Sequence, residues 1–99
     1  MNRLKYSLLI ILFSVGFSQT GKIYGLVKDA ESGNTLAGAN ISISGTELGA
    51  ASDVNGFFEV ENIPVGAQTI IVNYIGYAEF SESVDLDEGA EYELNVSLS

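Results

Sequence analysis

The chain has no cysteine, no histidine and no tryptophan, one proline (Pro64), and four basic residues against 13 acidic ones in 99 residues. Each absence removes a class of chemistry. Without cysteine there is no disulfide, no thiolate nucleophile and no site for lipoprotein-type lipid attachment. Without histidine there is no imidazole base and no Ser-His-Asp triad, and with both missing there is no zinc site of the usual nitrogen and sulfur ligands. The length admits one small domain, which must be held together by packing alone.

What is present divides the chain at residue 18. Arg3 and Lys5 precede a run from Leu8 to Phe17 that is apolar except for Ser14 and Gly16, and small residues stand at Gly16 and Ser18. Positive charge, a short apolar run and a small-residue exit are the features of a secretory signal peptide. A membrane-spanning helix needs about 20 apolar residues, roughly twice this run. The expected division is therefore a leader over residues 1–18, cleaved after Ser18, and one domain over 19–99. Arg3 and Lys5 leave with the leader, so Lys22 and Lys28 remain against all 13 acids, a formal charge of −11. That balance opposes binding to nucleic acid or to anionic lipid, and fits solubility outside the cytoplasm.

Beyond residue 18 the apolar period is two almost everywhere. Alternation runs through Ile23–Lys28, Asn40–Ser44, Phe57–Glu61, Gln68–Tyr74, Ala78–Leu86 and Glu91–Leu98, with a weaker strand at Gly49–Ser52. Asp53-Val54-Asn55-Gly56 and Pro64-Val65-Gly66 carry turn chemistry, from side chains that bond their own backbone, a fixed φ and free glycines. No stretch shows a helical i, i+3, i+4, i+7 stripe. About seven short strands predict an all-β, two-layer antiparallel sandwich, with a small closed barrel as the other all-β solution.

Five blocks then resemble a known family. They are Gly21-Lys22-Ile23-Tyr24-Gly25-Leu26-Val27-Lys28-Asp29, Thr35-Leu36-Ala37-Gly38-Ala39-Asn40-Ile41-Ser42-Ile43, Gly49-Ala50-Ala51-Ser52-Asp53-Val54-Asn55-Gly56-Phe57-Phe58, Ile63-Pro64-Val65-Gly66 and Tyr74-Ile75-Gly76-Tyr77. In order and spacing they are similar to the carboxypeptidase-regulatory-like domain. The resemblance implies a transthyretin-like (prealbumin-like), seven-strand Greek-key β-sandwich without catalytic residues. It also implies the settings in which such domains occur: beside metallocarboxypeptidase domains, as repeats in secreted surface proteins, and after the signal peptide of TonB-dependent outer-membrane receptors. The receptor setting implies protein partners, a receptor plug and barrel or other envelope proteins, in the periplasm, at the outer membrane or outside the cell.

The residues themselves offer structural roles. Leu36–Ala39 suits a close pass of the backbone against a neighbouring strand, with Leu36 reaching the core. Phe58 anchors the strand that follows the Asp53 turn. The Tyr77 ring is expected to be buried with its hydroxyl on a backbone acceptor. Lys22 and Lys28 fit protection of an exposed edge strand, and an exposed edge elsewhere would suit β-augmentation by a partner.

Three chemical readings compete with these. Asp53 and Asn55 before Gly56 have the spacing of an EF-hand loop centre, but Ala51 and Asn62 stand where the first and twelfth ligands belong. Glu59, Glu61, Asp85, Asp87, Glu88, Glu91 and Glu93 are candidates for a hydrolytic carboxylate pair, yet most alternate with apolar residues and so face solvent. Tyr24, Phe57, Tyr74, Tyr77 and Phe80 would make a sugar-stacking platform if they shared one surface. The two Asn-X-Ser sequons, at Asn40 and Asn95, are chance matches. No catalytic, cofactor-binding or metal-binding residue is assigned, no cofactor is expected, and the domain is not read as an enzyme.

Overall fold

The structure is a computed structural model that describes residues 19–99, all of them in strands, turns and loops. The leader expected over residues 1–18 lies outside the described residues. Eight strands follow one another: β1 (Thr20–Asp29), β2 (Asn40–Ile43), β3 (Gly49–Ala51), β4 (Phe57–Pro64), β5 (Gly66–Asn73), β6 (Phe80–Leu86), β7 (Glu91–Glu93) and β8 (Val96–Leu98). They form two four-stranded sheets. One has the order β4-β1-β7, with β8 also on β1, and the other the order β3-β2-β5-β6.

The apolar residues of the two-residue period meet between the sheets. Ile23 and Val27 of β1, Phe58 and Val60 of β4, and Val96 and Leu98 of β8 face Ile41, Ile43, Ile70, Val72, Val84 and Leu86, all buried. Burying side chains of this size contributes about 1.5–3 kcal/mol each, the main driving force in a domain without cross-links. The sandwich expected from the alternation is the fold observed, and the barrel is not. Phe58 anchors β4 as expected, and Leu36 packs against the core from its edge.

Four details differ from the sequence expectation. The last strand, expected to run unbroken from Glu91 to Leu98, is split at Leu94 and Asn95 into β7 and β8. Both halves pair with β1 in parallel, so the sandwich is antiparallel everywhere except at this junction. Strand β1 is central in its sheet, so Lys22 and Lys28 do not protect an edge. Lys22 instead forms an ion pair of 2.7 Å with Glu59 on β4.

Third, Pro64 closes β4 rather than standing in a turn. Only Val65 separates it from β5, which opens at Gly66 with φ 106° and carries the chain to the other sheet. Fourth, the Tyr77 hydroxyl donates to the Asp29 carboxylate at 2.6 Å, not to backbone. A side-chain acceptor forty-eight positions away has no signature in local sequence.

Candidate functional site

Some of the residues singled out in the sequence, Asp29, Leu36–Ala39, Asp53–Gly56 and Tyr74–Tyr77, gather at one end of the sandwich, where β1, β5 and β8 finish and β2 and β4 begin. Gly56, just before β4, sits against β1 and the loop after it. A Cβ there would lie 2.7 Å from Thr35 Cβ and 3.0 Å from the Val27 carbonyl oxygen, and its φ is 83°. Asp53 shapes the same turn, its Oδ1 accepting from the amides of Asn55 at 2.8 Å and Phe57 at 3.0 Å. The carboxylate weighed as a calcium ligand is thus an Asx-turn acceptor.

Beside it lies Ser52, a buried polar residue at 5% exposure. Its Oγ accepts from the Ala39 amide at 2.8 Å and donates to the Leu36 carbonyl at 2.7 Å. Its own amide donates to Ala39, and the Gly38 amide donates to its carbonyl. Four bonds therefore clamp Leu36–Ala39. The small residues of that segment serve this geometry: Gly38 takes φ 87°, and a Cβ on it would meet nothing nearer than Tyr74 Cε1 at 3.9 Å. Conformation rather than a tight approach requires glycine here.

Asp29 and Tyr77 join the first and last of the five blocks. Asp29 Oδ1 accepts from the amides of Glu31 and Ser32, both at 2.8 Å, while Oδ2 takes the Tyr77 hydroxyl. The phenol first, and then the two amides, hold the Asp29 carboxyl at about 2 against an ordinary value of 3.8. The same bond raises the Tyr77 phenol above its ordinary value. The Tyr77 ring lies 5.6 Å from that of Tyr74, tilted by 40°. Neither group is poised to exchange a proton near neutrality, because each stabilises the resting state of the other.

Two shallow depressions flank this pair. One, of about 650 Å³, is lined by Gly38, Asn40, Asn73, Tyr74 and Ile75, and the other, of about 420 Å³, by Asp29, Glu31, Gly76, Tyr77 and Ser99. Ile75 is 95% exposed and Val54, in the Asp53 turn, 84%.

The remaining candidates are dispersed. Of the five aromatic residues only Tyr74 and Tyr77 meet. Tyr24 and Phe57 lie on the outer face of the first sheet, with the Lys22 ammonium 5.9 Å from the Tyr24 ring, and Phe80 is at the start of β6 in the second. The acids are divided likewise. Glu59 and Glu61 are on β4 and Glu91 and Glu93 on β7, on opposite sides of β1, whereas Asp85, Asp87 and Glu88 belong to β6 and the loop after it. No group of three or more acidic residues converges as a metal site among the described residues.

The blocks that gave the chain its family resemblance are therefore contacts with one another. A family profile described as the CarboxypepD_reg-like domain matches residues 23–99. The chain belongs to this family. Among curated proteins, this CarboxypepD_reg-like domain is 29% identical over 99 residues to TonB-dependent receptor P3 of Formosa agariphila. The match covers 97% of this chain but only 9% of that receptor's length.

Solved structures share the fold at lower identity. BcpA, the major pilin subunit of Bacillus cereus, is 20% identical with a TM-score of 0.67, over 82% of this chain and 30% of the pilin. A type II cohesin–X–dockerin complex from Acetivibrio cellulolyticus is 23% identical with a TM-score of 0.63, over 77% of this chain and 52% of that one. These likenesses establish a sandwich fold. The family match is to a regulatory-like domain, and the polar groups of this site are engaged in holding its own loops together.

Proposed function

We propose that this CarboxypepD_reg-like domain is an exported, non-catalytic module at the N-terminus of a TonB-dependent outer-membrane receptor, serving nutrient uptake through contacts with neighbouring proteins. Residues 1–18 act as the leader and are removed after Ser18. The observation that carries the reading is the extent of the likeness to the Formosa agariphila receptor. It covers 97% of the chain, a share that residues 19–99 alone could not supply, so it extends into residues 1–18 as well as the domain.

The chemistry of the domain supports the same role. Asp29, Tyr77, Ser52 and Asp53, its best-held polar groups, are each bonded to loops of the domain itself, leaving loop surfaces and strand edges as its means of contact. The coding sequence beyond Ser99 tests the proposal. Continuation into a plug and a transmembrane barrel of several hundred residues supports it. A stop codon directly after Ser99 would overturn it in favour of a free-standing secreted module, structural or adhesive.

A further inference from the structure

A sandwich of two open sheets has four edges, and in this domain three are blunted. Strand β3 is only three residues long. Strand β4 is interrupted by Asn62, with φ 61°, and ends at Pro64, which has no N–H to offer. Strands β7 and β8 are three residues each, and the residues between them turn towards β1: the Leu94 amide donates to the Tyr24 carbonyl, and Asn95 Oδ1 accepts from the Leu26 amide at 3.1 Å. Short length, backbone irregularity and proline are the usual means of preventing edge-to-edge pairing.

Strand β6 has none of these three features, and carries instead one inward-facing charge, Glu82, which opposes pairing with a like strand. It runs seven residues in unbroken register with β5, from Leu86 opposite Gly66 to Phe80 opposite Val72. It contains no proline and no positive φ. Among the described residues, the backbone of Phe80–Leu86 makes no hydrogen bond apart from its ladder with β5. Its other edge therefore presents a regular row of unpaired N–H and C=O groups.

Charge identifies the occupant. Residues 79–88 carry Glu79, Glu82, Asp85, Asp87 and Glu88 and no cation. Lys22 and Lys28 are both on β1, in the facing sheet, and Lys22 is paired with Glu59. Glu82 falls in the inward series with Phe80, Val84 and Leu86 and is half-buried, which puts a carboxylate at the rim between the sheets beside the free edge. A second copy pairing β6 against β6 would set these acids against one another, and like charges across a ladder are destabilising. A strand bearing Lys or Arg would be attracted by the same acids.

We propose that the free edge of β6 is a docking site for an extended basic segment of another protein, which adds as a fifth strand to the β3-β2-β5-β6 sheet. Its backbone completes the β6 ladder, and its alternate Lys or Arg side chains meet Asp85 on the outer face of the sheet, while Glu82, on the inner face, adds to the attraction for a basic segment. Partner choice by β-augmentation has this division of labour, with affinity from main-chain bonds and selectivity from alternate side chains. The inference deepens the reading of the domain as a protein-contact module but does not depend on the receptor assignment.

The test adds capped seven-residue peptides to the exported protein and follows amide exchange by NMR. The probe is Thr-Lys-Val-Lys-Val-Lys-Thr. One control replaces each Lys with Glu, and another replaces both Val with Pro, which keeps the charge but prevents pairing. The Lys peptide is expected to slow exchange within Phe80–Leu86 and to bind roughly tenfold more weakly when salt is raised from about 50 to 300 mM. Neither control should bind. The double variant Glu82→Lys, Asp85→Lys should lose binding while keeping its cooperative melting transition. Equal binding of the proline control, protection at β4 or β7 instead, absence of binding at millimolar peptide, or protection of β6 by self-association without peptide would each overturn the proposal. None of these results bears on whether the coding sequence continues into a barrel.

Discussion

Gly25, in the middle of β1, lies so close against the Leu94 carbonyl that a Cβ on it would overlap the oxygen. The contact falls where β7 gives way to β8, so one hydrogen atom in place of a methyl group allows the last strand to run parallel along β1. Gly25→Ala should therefore force the two segments apart and destabilise the domain by more than about 3 kcal/mol, beyond the usual range for overpacking. Gly45→Ala is the control. Gly45, unlike Gly25, has a positive φ, 80°, but nothing lies within 4 Å of a Cβ there, so its cost should be only about 1 kcal/mol of conformational strain. Urea titration of both variants measures the difference.

Ser52 satisfies two backbone groups with one buried hydroxyl. Ser52→Ala leaves the Ala39 amide and the Leu36 carbonyl without these partners, a loss of about 2–4 kcal/mol for two buried bonds. In a domain of this size that lowers the melting temperature by roughly 10–20 °C. A fall of only a degree or two would show that the 36–39 segment is held by other means.

The Asp29–Tyr77 bond sets a pH dependence at both extremes. The Asp29 carboxyl titrates at about 2 in the fold against 3.8 ordinarily. A lowered folded pKa means that the ionised form stabilises the fold. The contribution is complete above about pH 4 and is lost as pH falls towards 2. Tyr77 has the opposite sign: its raised pKa means that the neutral phenol stabilises. That contribution is complete below pH 10 and is lost as pH rises through the folded value. Tyr77→Phe should return the Asp29 titration towards the ordinary carboxylate range, read from its carboxyl carbon by NMR. Asp29→Asn should flatten the difference in stability between pH 2 and pH 4.

Asn62 holds the left-handed conformation that breaks the β4 edge. Asn62→Gly should be tolerated within about 0.5 kcal/mol, whereas Asn62→Val, whose branched Cβ disfavours positive φ, should cost about 1–2 kcal/mol. Thermal melts of the two variants side by side distinguish them.

These residues also show what could be read before the structure. The two-residue period in β1, β4, β5 and β6 reports directly on which side chains face the core, so the sandwich and most of its buried residues were legible. The Asp53 turn was legible because an Asx side chain bonds its near neighbours. Gly25 looked like any residue in an alternating run, since its role depends on a carbonyl sixty-nine positions away. Ser52 and the Asp29–Tyr77 bond escaped notice for the same reason, being contacts between distant segments. The parallel pairing of the last strand with β1 and the central place of β1 are matters of topology, which alternation within a strand does not encode.

The most direct measurement is the intact mass and N-terminal sequence of the protein recovered from the cell envelope of the producing organism. A chain that begins at Gln19, in the outer-membrane fraction and continuous with a receptor barrel, is the expected result. A chain that still carries Met1 and is found only in the cytosol would contradict the reading of this domain as an exported receptor module.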